Sequence, residues 1–334
     1  MLVIKPLENY IIPGDNGIVF VRDHQPPCPD FKIYGDFETG SVYQDQSYNN
    51  IEKIIKDHKI DVEHVYMDDY LQWTDFPFPY TCVPTYLFRV SNDFCKHAIV
   101  AEYSDENSCF IMMNKRRENR LLVSAWFNQN KHINYKYTQG WKTQDNDFVL
   151  LKELTFCTDY SFDGFLNKKF ITYNNNSPEN YSNDVAGNHI IWNNVLNEKF
   201  CSSTFAIVTE PVFWEKAVFL DEKYLMAIYG CCFPIFCGGY GTADYLSNIG
   251  FDVFHDVIDH SYQYEIHPGL RVLNALESNR EILENHNLKK LDYMDRHLNN
   301  LNLVKENLEN LKSQFSDSQF EKYFNKVKKY RPYY

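Results

Sequence analysis

Residues 204–262 constrain the fold of this chain more than any other stretch, because buried-type strands alternate there with helix starts. Phe205–Val208 (FAIV) is a short β-branched and aromatic run that ends at Thr209-Glu210. After a loop, Asp221-Glu222-Lys223 opens a helical run over 224–229, which stops at Gly230. Residues 233–237 (FPIFC) form a second buried-type strand, followed by the loop Gly238-Gly239-Tyr240-Gly241. Thr242 stands where an N-cap belongs, before a helical run over 243–248. Strand, loop, helix, strand, loop, helix predicts a parallel α/β sheet, and such sheets bind ligands at the carboxyl ends of their strands.

That placement suggests a chemistry. Glu222 and Lys223 fall at a helix N-terminus, where free backbone N–H groups and the helix dipole favour an anion. The lysine adds a mobile positive charge suited to a diphosphate, and a neighbouring carboxylate can accept hydrogen bonds from ribose or sugar hydroxyls. An ordinary solvated helix start has the same composition, so both readings stay open. Upstream, the apolar strand 109–113 (CFIMM) runs into Asn114-Lys115-Arg116-Arg117-Glu118-Asn119-Arg120 and then a helix through Trp126. Four basic residues within six positions, between a strand and a helix, fit a diphosphate clamp, because guanidinium groups match phosphate oxygens in a two-pronged geometry. A solvated basic turn is the alternative. Candidate binding residues on this diphosphate reading are Asn114, Arg116, Arg120, Glu210, Glu222, Lys223 and Gly239.

The order T-E, loop, D-E-K, apolar helix, Gly, F-P-I-F, Gly-rich turn, L-x-x-I-G-F-D-x-F resembles the C-terminal half of a group of phage and viral glycosyltransferases. It is more distantly similar to the donor-binding half of the α1,3-fucosyltransferases, whose T-E-K helix start precedes an apolar helix and a V-P-V-type strand. Here Asp221 takes the place usually held by Thr, while the Glu-Lys pair is intact. The resemblance covers roughly residues 108–284 and implies a GT-B-like architecture of two Rossmann-like domains. It further implies that Arg120, and Arg116 after it, bind phosphate.

Composition limits the alternatives. A net charge of −12 and a pI near 5.4 argue against a broad nucleic-acid-binding face, so nucleic acid is not an expected partner. The 44% hydrophobic and 16% aromatic content of the 334 residues supports a sizeable core. The N-terminal MLVIKPLENYIIPGD lacks a charged region followed by a long apolar run, so no signal peptide is expected, and no stretch is apolar enough for a membrane span. The nine cysteines are scattered, lack C-x-x-C spacing and lie mostly in apolar runs, which fits buried free thiols in a reducing, cytoplasmic setting. If the chain is viral, that setting is the host cytoplasm.

The remaining segments are read as follows. Residues 17–21, 62–67, 86–90 and 133–137 are strand candidates, and 50–58 and 149–154 are helix candidates. Asp36 and Glu38 lie in a glycine-bounded turn and are the candidate catalytic bases, an ordinary turn being the alternative. Asp145-Asn146-Asp147 matches a D-x-D metal motif but sits in a polar loop, so no metal is expected. Pro268 starts a helix carrying Arg271, read as a surface salt-bridge partner, with a place facing the site as the alternative. From 291 onward, leucines at intervals of three and four predict an amphipathic helix, for packing on the main body or for pairing two copies in a homodimer.

The expected organisation is an acceptor-side α/β domain over 1–105, a nucleotide-sugar-binding Rossmann-like domain over 106–284 and C-terminal helices over 285–334. The expected function is metal-independent transfer of a sugar from a nucleotide-diphosphate sugar to a glycan, protein or small-molecule acceptor, with no other cofactor. Sugar transfer to a modified base in viral DNA, or a non-catalytic virion or host-interaction protein on the same fold, are the alternatives.

Overall fold

The computed structural model describes residues 11–13, 18–22, 64–68, 80–83, 85–113, 116–139, 188–210, 218, 220–285 and 287–314. Strands β1 (Ile11–Pro13), β2 (Ile18–Arg22), β3 (His64–Asp68) and β4 (Tyr80–Val83) form one four-stranded sheet in that order. The first pair is antiparallel and the other two are parallel, with Ile18 opposite His64 and Val65 opposite Tyr80. Strands expected at 17–21 and 62–67 form close to those positions. The strand expected at 86–90 does not form. Those residues belong to helix α1 (Thr85–His97), and the strand is the preceding YTCV. Val90 and Phe94 account for the difference, since they lie one helical turn apart and both are buried. A five-residue window hides that period. The helix candidates at 50–58 and 149–154, the Asp36–Glu38 turn and the D-x-D motif lie outside the described residues.

The second sheet holds the expected β/α alternation. Strand β5 (Cys109–Met113) leads through helix α2 (Glu118–Gln129) to β6 (Tyr135–Gln139). Helix α3 (Asn188–Ile191), a π-helical turn (Trp192–Leu196) and helix α4 (Asn197–Ser202) precede β7 (Phe205–Val208). Helix α5 (Glu222–Tyr229) joins β7 to β8 (Phe233–Phe236), and α6 (Thr242–Asn248) follows. A 3-10 turn (Ser261–Tyr264), helices α7 (Pro268–Glu277) and α8 (Arg280–Glu284), a second 3-10 turn (Lys290–Tyr293) and the long helix α9 (Met294–Gln314) complete it. All strand pairs are parallel, in the order β6-β5-β7-β8.

Every residue of β5, β7 and β8 is buried, which is why these strands read as unbroken apolar runs. Alternate side chains feed two separate cores. Phe110, Met112, Ala206, Val208 and Phe236 face a layer containing α1, α5 and α9, where Phe94, Trp192, Leu225 and Val304 pack. Cys109, Ile111, Met113, Phe205, Ile207, Phe233 and Ile235 face α2 and α7, against Leu121, Trp126, Val272 and Leu276. Burying each such large side chain stabilises by roughly 1.5–3 kcal/mol, so the two cores rather than the helix caps hold the sheet together. Pro234 is tolerated in β8, opposite Ala206, because β8 is an edge of the described sheet and needs no ladder donor there. Cys109, Cys201, Cys231, Cys232 and Cys237 are buried, unbridged thiols.

The strand order fixes where a ligand site can be. The chain builds outward from β5 to β6 on one side, then returns to place β7 and β8 on the other. The strand order reverses between β5 and β7, so the carboxyl ends of these two strands, at Met113 and Val208, are where such a sheet takes a ligand.

Candidate functional site

Three elements bring polar side chains to those strand ends. The first is the start of α5. Asp221, in extended backbone geometry, caps the helix by accepting the Lys223 N–H at 2.9 Å. The Lys223 ammonium folds back onto the Asp221 carboxylate and lies 3.2 Å from Glu222 Oε1. Asp221 and Lys223 are both buried, and Glu222 is half-buried. The expected helix start is thus in place, with Lys223 engaged by its own neighbours.

The second element is the first turn of α2. Asn119 donates both amide hydrogens, to Glu210 O at 2.7 Å and Cys237 O at 2.9 Å. Arg120 Nη2 donates to Thr209 O at 3.1 Å, and the Thr209 hydroxyl donates to Met112 O at 2.9 Å. Main-chain groups at the ends of β5, β7 and β8 are thereby tied together through buried side chains. Asn119 and Thr209 carry no motif of their own in the sequence. Their signal was only adjacency to Arg120 and Glu210, and a short polar residue beside a charged one is common anywhere.

The third element is the loop after β8. A Cβ added at Gly238 would lie 2.7 Å from Glu210 Cγ, so only glycine lets this loop lie against Glu210. Gly238, not Gly239, is the glycine that close packing requires. Gly239 is buried, and its carbonyl accepts the Thr242 hydroxyl at 3.0 Å. That hydroxyl therefore does not cap α6. Gly241, at φ +72°, is the N-cap residue, and Gln263 Oε1 accepts the Asp244 N–H at 3.1 Å. Arg271 is likewise no surface salt bridge. It is buried under the same loop, with Nε donating to Gly238 O at 3.1 Å and Nη1 to Glu265 O at 2.7 Å.

Glu210 lies at the centre of this arrangement, fully buried. Its Oε2 accepts the Asp221 N–H at 3.2 Å, and its Oε1 has no hydrogen-bond partner among the described residues. Burial, and then the neighbouring Asp221 charge, push its carboxyl well above the usual range, against the pull of Lys223. Asp221 is raised by burial and by Glu222, while Lys223 opposes. The proton of the pair belongs on Glu210, because Lys223 contacts Asp221 directly. Burial lowers the Arg120 value, while the charges of Asp221 and Glu222 oppose that shift. With Glu210 neutral, Asp221 and Glu222 balance Arg120 and Lys223. An anion can enter only if these pairs open.

The other expected residues fall as follows. Arg116 is half-buried on the approach to α2, and Asn114 lies outside the described residues, as do Asp36 and Glu38. A recess of about 320 Å³ lies elsewhere, lined by Ser261, Tyr262, Glu265, Asn274, Glu277 and Ser278. It carries carboxylates and no cationic side chain, so it does not suit a phosphate. Among the described residues, no group of three or more metal-ligating side chains gathers, and no helix is long and apolar enough to cross a membrane. Comparison with protein-family models, curated proteins and solved structures finds no match for this chain.

Proposed function

We propose that the protein is a glycosyltransferase that takes a sugar from a nucleotide-diphosphate donor bound at the crevice between β5 and β7. One observation carries the reading. Arg120, Lys223 and the N-terminus of α5 converge where the strand order reverses, around a buried carboxyl oxygen of Glu210 that has no partner among the described residues. In this reading Lys223 leaves Asp221 and Glu222 to meet the diphosphate, and Arg120 adds its charge from below. Both neutralise the leaving group as the sugar bond breaks, the electrostatic contribution that dominates where charge develops. Glu222, released from Lys223, accepts hydrogen bonds from ribose or sugar hydroxyls, and Glu210 lines the same pocket. The transfer uses no metal. The finer architecture, two Rossmann-like domains facing a cleft with an acceptor base at Asp36 or Glu38, belongs to the same proposal, as does a cytoplasmic setting.

A second reading has its own support. Lys223 is already paired with two carboxylates and Arg120 with a main-chain carbonyl, which suits an internal clasp in a non-catalytic interaction protein. Thermal denaturation in the presence of UDP, GDP, CDP and their sugars, with and without a divalent cation, separates the two. A donor at 100 times its Kd stabilises by about 2.7 kcal/mol, a rise of several degrees in Tm. A metal-independent rise with one of the diphosphates is expected. No response to any of them sinks the glycosyltransferase reading and leaves the clasp.

A further inference from the structure

The same edge of the sheet carries a second construction beyond β8. The 3-10 turn Ser261–Tyr264 is bonded to the end of β8, to the loop 237–241 and to the start of α6. The Tyr262 hydroxyl accepts the Phe236 N–H at 2.9 Å, and Gln263 O accepts the Gly241 N–H at 3.3 Å. Gln263 and Asp244 exchange two further bonds, at 3.1 and 2.8 Å. Beneath them the buried Arg271 guanidinium binds Gly238 O and Glu265 O, so one planar group fixes both loops.

The tips of these loops are apolar and open. Tyr240 and Tyr264 meet edge to face, with ring centroids 5.6 Å apart and planes at 73°. The Tyr264 hydroxyl is held by Asp244 Oδ2, which fixes the ring. Even so, Tyr264 is 49% and Ile266 51% exposed. An exposed aromatic ring held by a neighbouring ring and by its own hydroxyl is contact surface whose ordering cost is already met in the unbound protein. The charged cluster is close by. Gly238 touches Glu210, and Tyr240 follows two residues later, within about 7 Å of extended chain.

We propose that Tyr240, Tyr264 and Ile266 form the platform on which the planar base of a nucleoside diphosphate stacks, with its phosphates at Arg120 and Lys223. This rests on the reading of the β5–β7 crevice as a diphosphate site. Stacking accepts the face of any base, so the platform sets affinity and leaves the choice among bases to other contacts.

Isothermal titration of the full chain with UDP, GDP and inorganic pyrophosphate tests it, using wild type, Tyr264→Ala and Tyr264→Phe. Tyr264→Ala should weaken both nucleotides on the order of tenfold or more and leave pyrophosphate unchanged. Tyr264→Phe keeps the ring and should stay within a few-fold of wild type. Nucleotides binding Tyr264→Ala as tightly as wild type would overturn the platform while leaving the diphosphate site standing. Failure of wild type to bind either nucleotide or pyrophosphate removes the site itself, and the platform with it. Should Tyr264→Ala not fold, Ile266→Ser, at the other exposed tip, asks the same question with the same readout.

Discussion

Among the described residues two lysines are buried, at opposite ends of helix α5, and their partners differ in kind. Lys290 lies beneath the amino edge of the second sheet. Its ammonium donates to Cys201 O at 2.6 Å, Ser203 O at 2.8 Å, Gly230 O at 2.9 Å and Phe200 O at 3.3 Å. Those carbonyls close α4 and α5, where unsatisfied acceptors and the negative end of the dipole collect. Lys223 stands at the other end of α5, and its charge partners are the side chains of Asp221 and Glu222. Main-chain carbonyls at helix ends cannot turn away without unwinding the helix. Carboxylates on rotatable bonds can. Burial of a charge therefore does not by itself mark a site. The mobility of what neutralises it does, and on that measure the carboxyl edge is the end able to exchange partners for a ligand.

Replacing each lysine by methionine tests the contrast. Lys290→Met strands several buried carbonyls at once and removes the clamp between the C-terminal segment and the sheet. A loss of about 3 kcal/mol or more is expected in urea denaturation at pH 7, independent of any nucleotide. A near-wild-type midpoint would break the comparison at its firmer end. Lys223→Met leaves two carboxylates beside Arg120 alone and should cost less, about 1–3 kcal/mol. Two further features set it apart. The deficit should shrink on acidification, because Asp221, whose carboxyl is raised by burial and Glu222, takes up a proton. The same variant should also lose the stabilisation by diphosphates that the proposed function expects of wild type. A deficit that does not change with pH would mean that Asp221 carries no charge for Lys223 to balance.

The two edges also differ in how far the sequence announced them. Strands β5, β7 and β8 and helix α5 were legible because a parallel strand buried on both faces leaves an unbroken apolar run, and Asp221 and Gly230 punctuate the helix between. The place of Glu222 and Lys223 at that helix start was legible for the same reason. The clasp around them was not. Asn119 and Arg271 act through main-chain carbonyls 91 to 118 and 6 to 33 residues distant, and nothing local encodes those partners. Lys290 was invisible in the same way, its acceptors lying 60 to 90 residues back. Helix α1 was misread because its apolar positions 90 and 94 begin where a strand-like run ends. The Thr242 cap failed because Gly241 reaches a backbone geometry that frees the threonine hydroxyl for Gly239. Position along the chain was readable, and convergence in space was not.

The pH dependence of stability sharpens the comparison most finely, because the two edges carry terms of opposite sign. Near the amino edge, His297 is buried against Phe233 and Phe254, and its Nε2 has no hydrogen-bond partner among the described residues. Burial pushes it down to about 3, with Lys290 and Arg296 acting the same way and Asp252 opposing. The folded state then holds fewer protons than the unfolded chain below about 6.5, so stability falls as pH drops from there towards 3, by about 1.4 kcal/mol per unit. His260, at about 4, adds to that loss. Glu210 works in reverse. Its folded value lies above the unfolded one, so its contribution is complete below about 4.5 and is lost as pH rises through the folded value. His297→Phe should reduce the acid loss measured between pH 6.5 and 4.5. Glu210→Gln copies the neutral carboxyl and should differ least from wild type near pH 5, within about 1 kcal/mol. Above that pH it should flatten the decline and match or exceed wild-type stability. A Gln variant that is weaker at neutral pH, with the wild-type slope intact, would mean that Glu210 is ionised inside the fold. Its charge would then already hold a cation, and the crevice would have one fewer to offer a diphosphate.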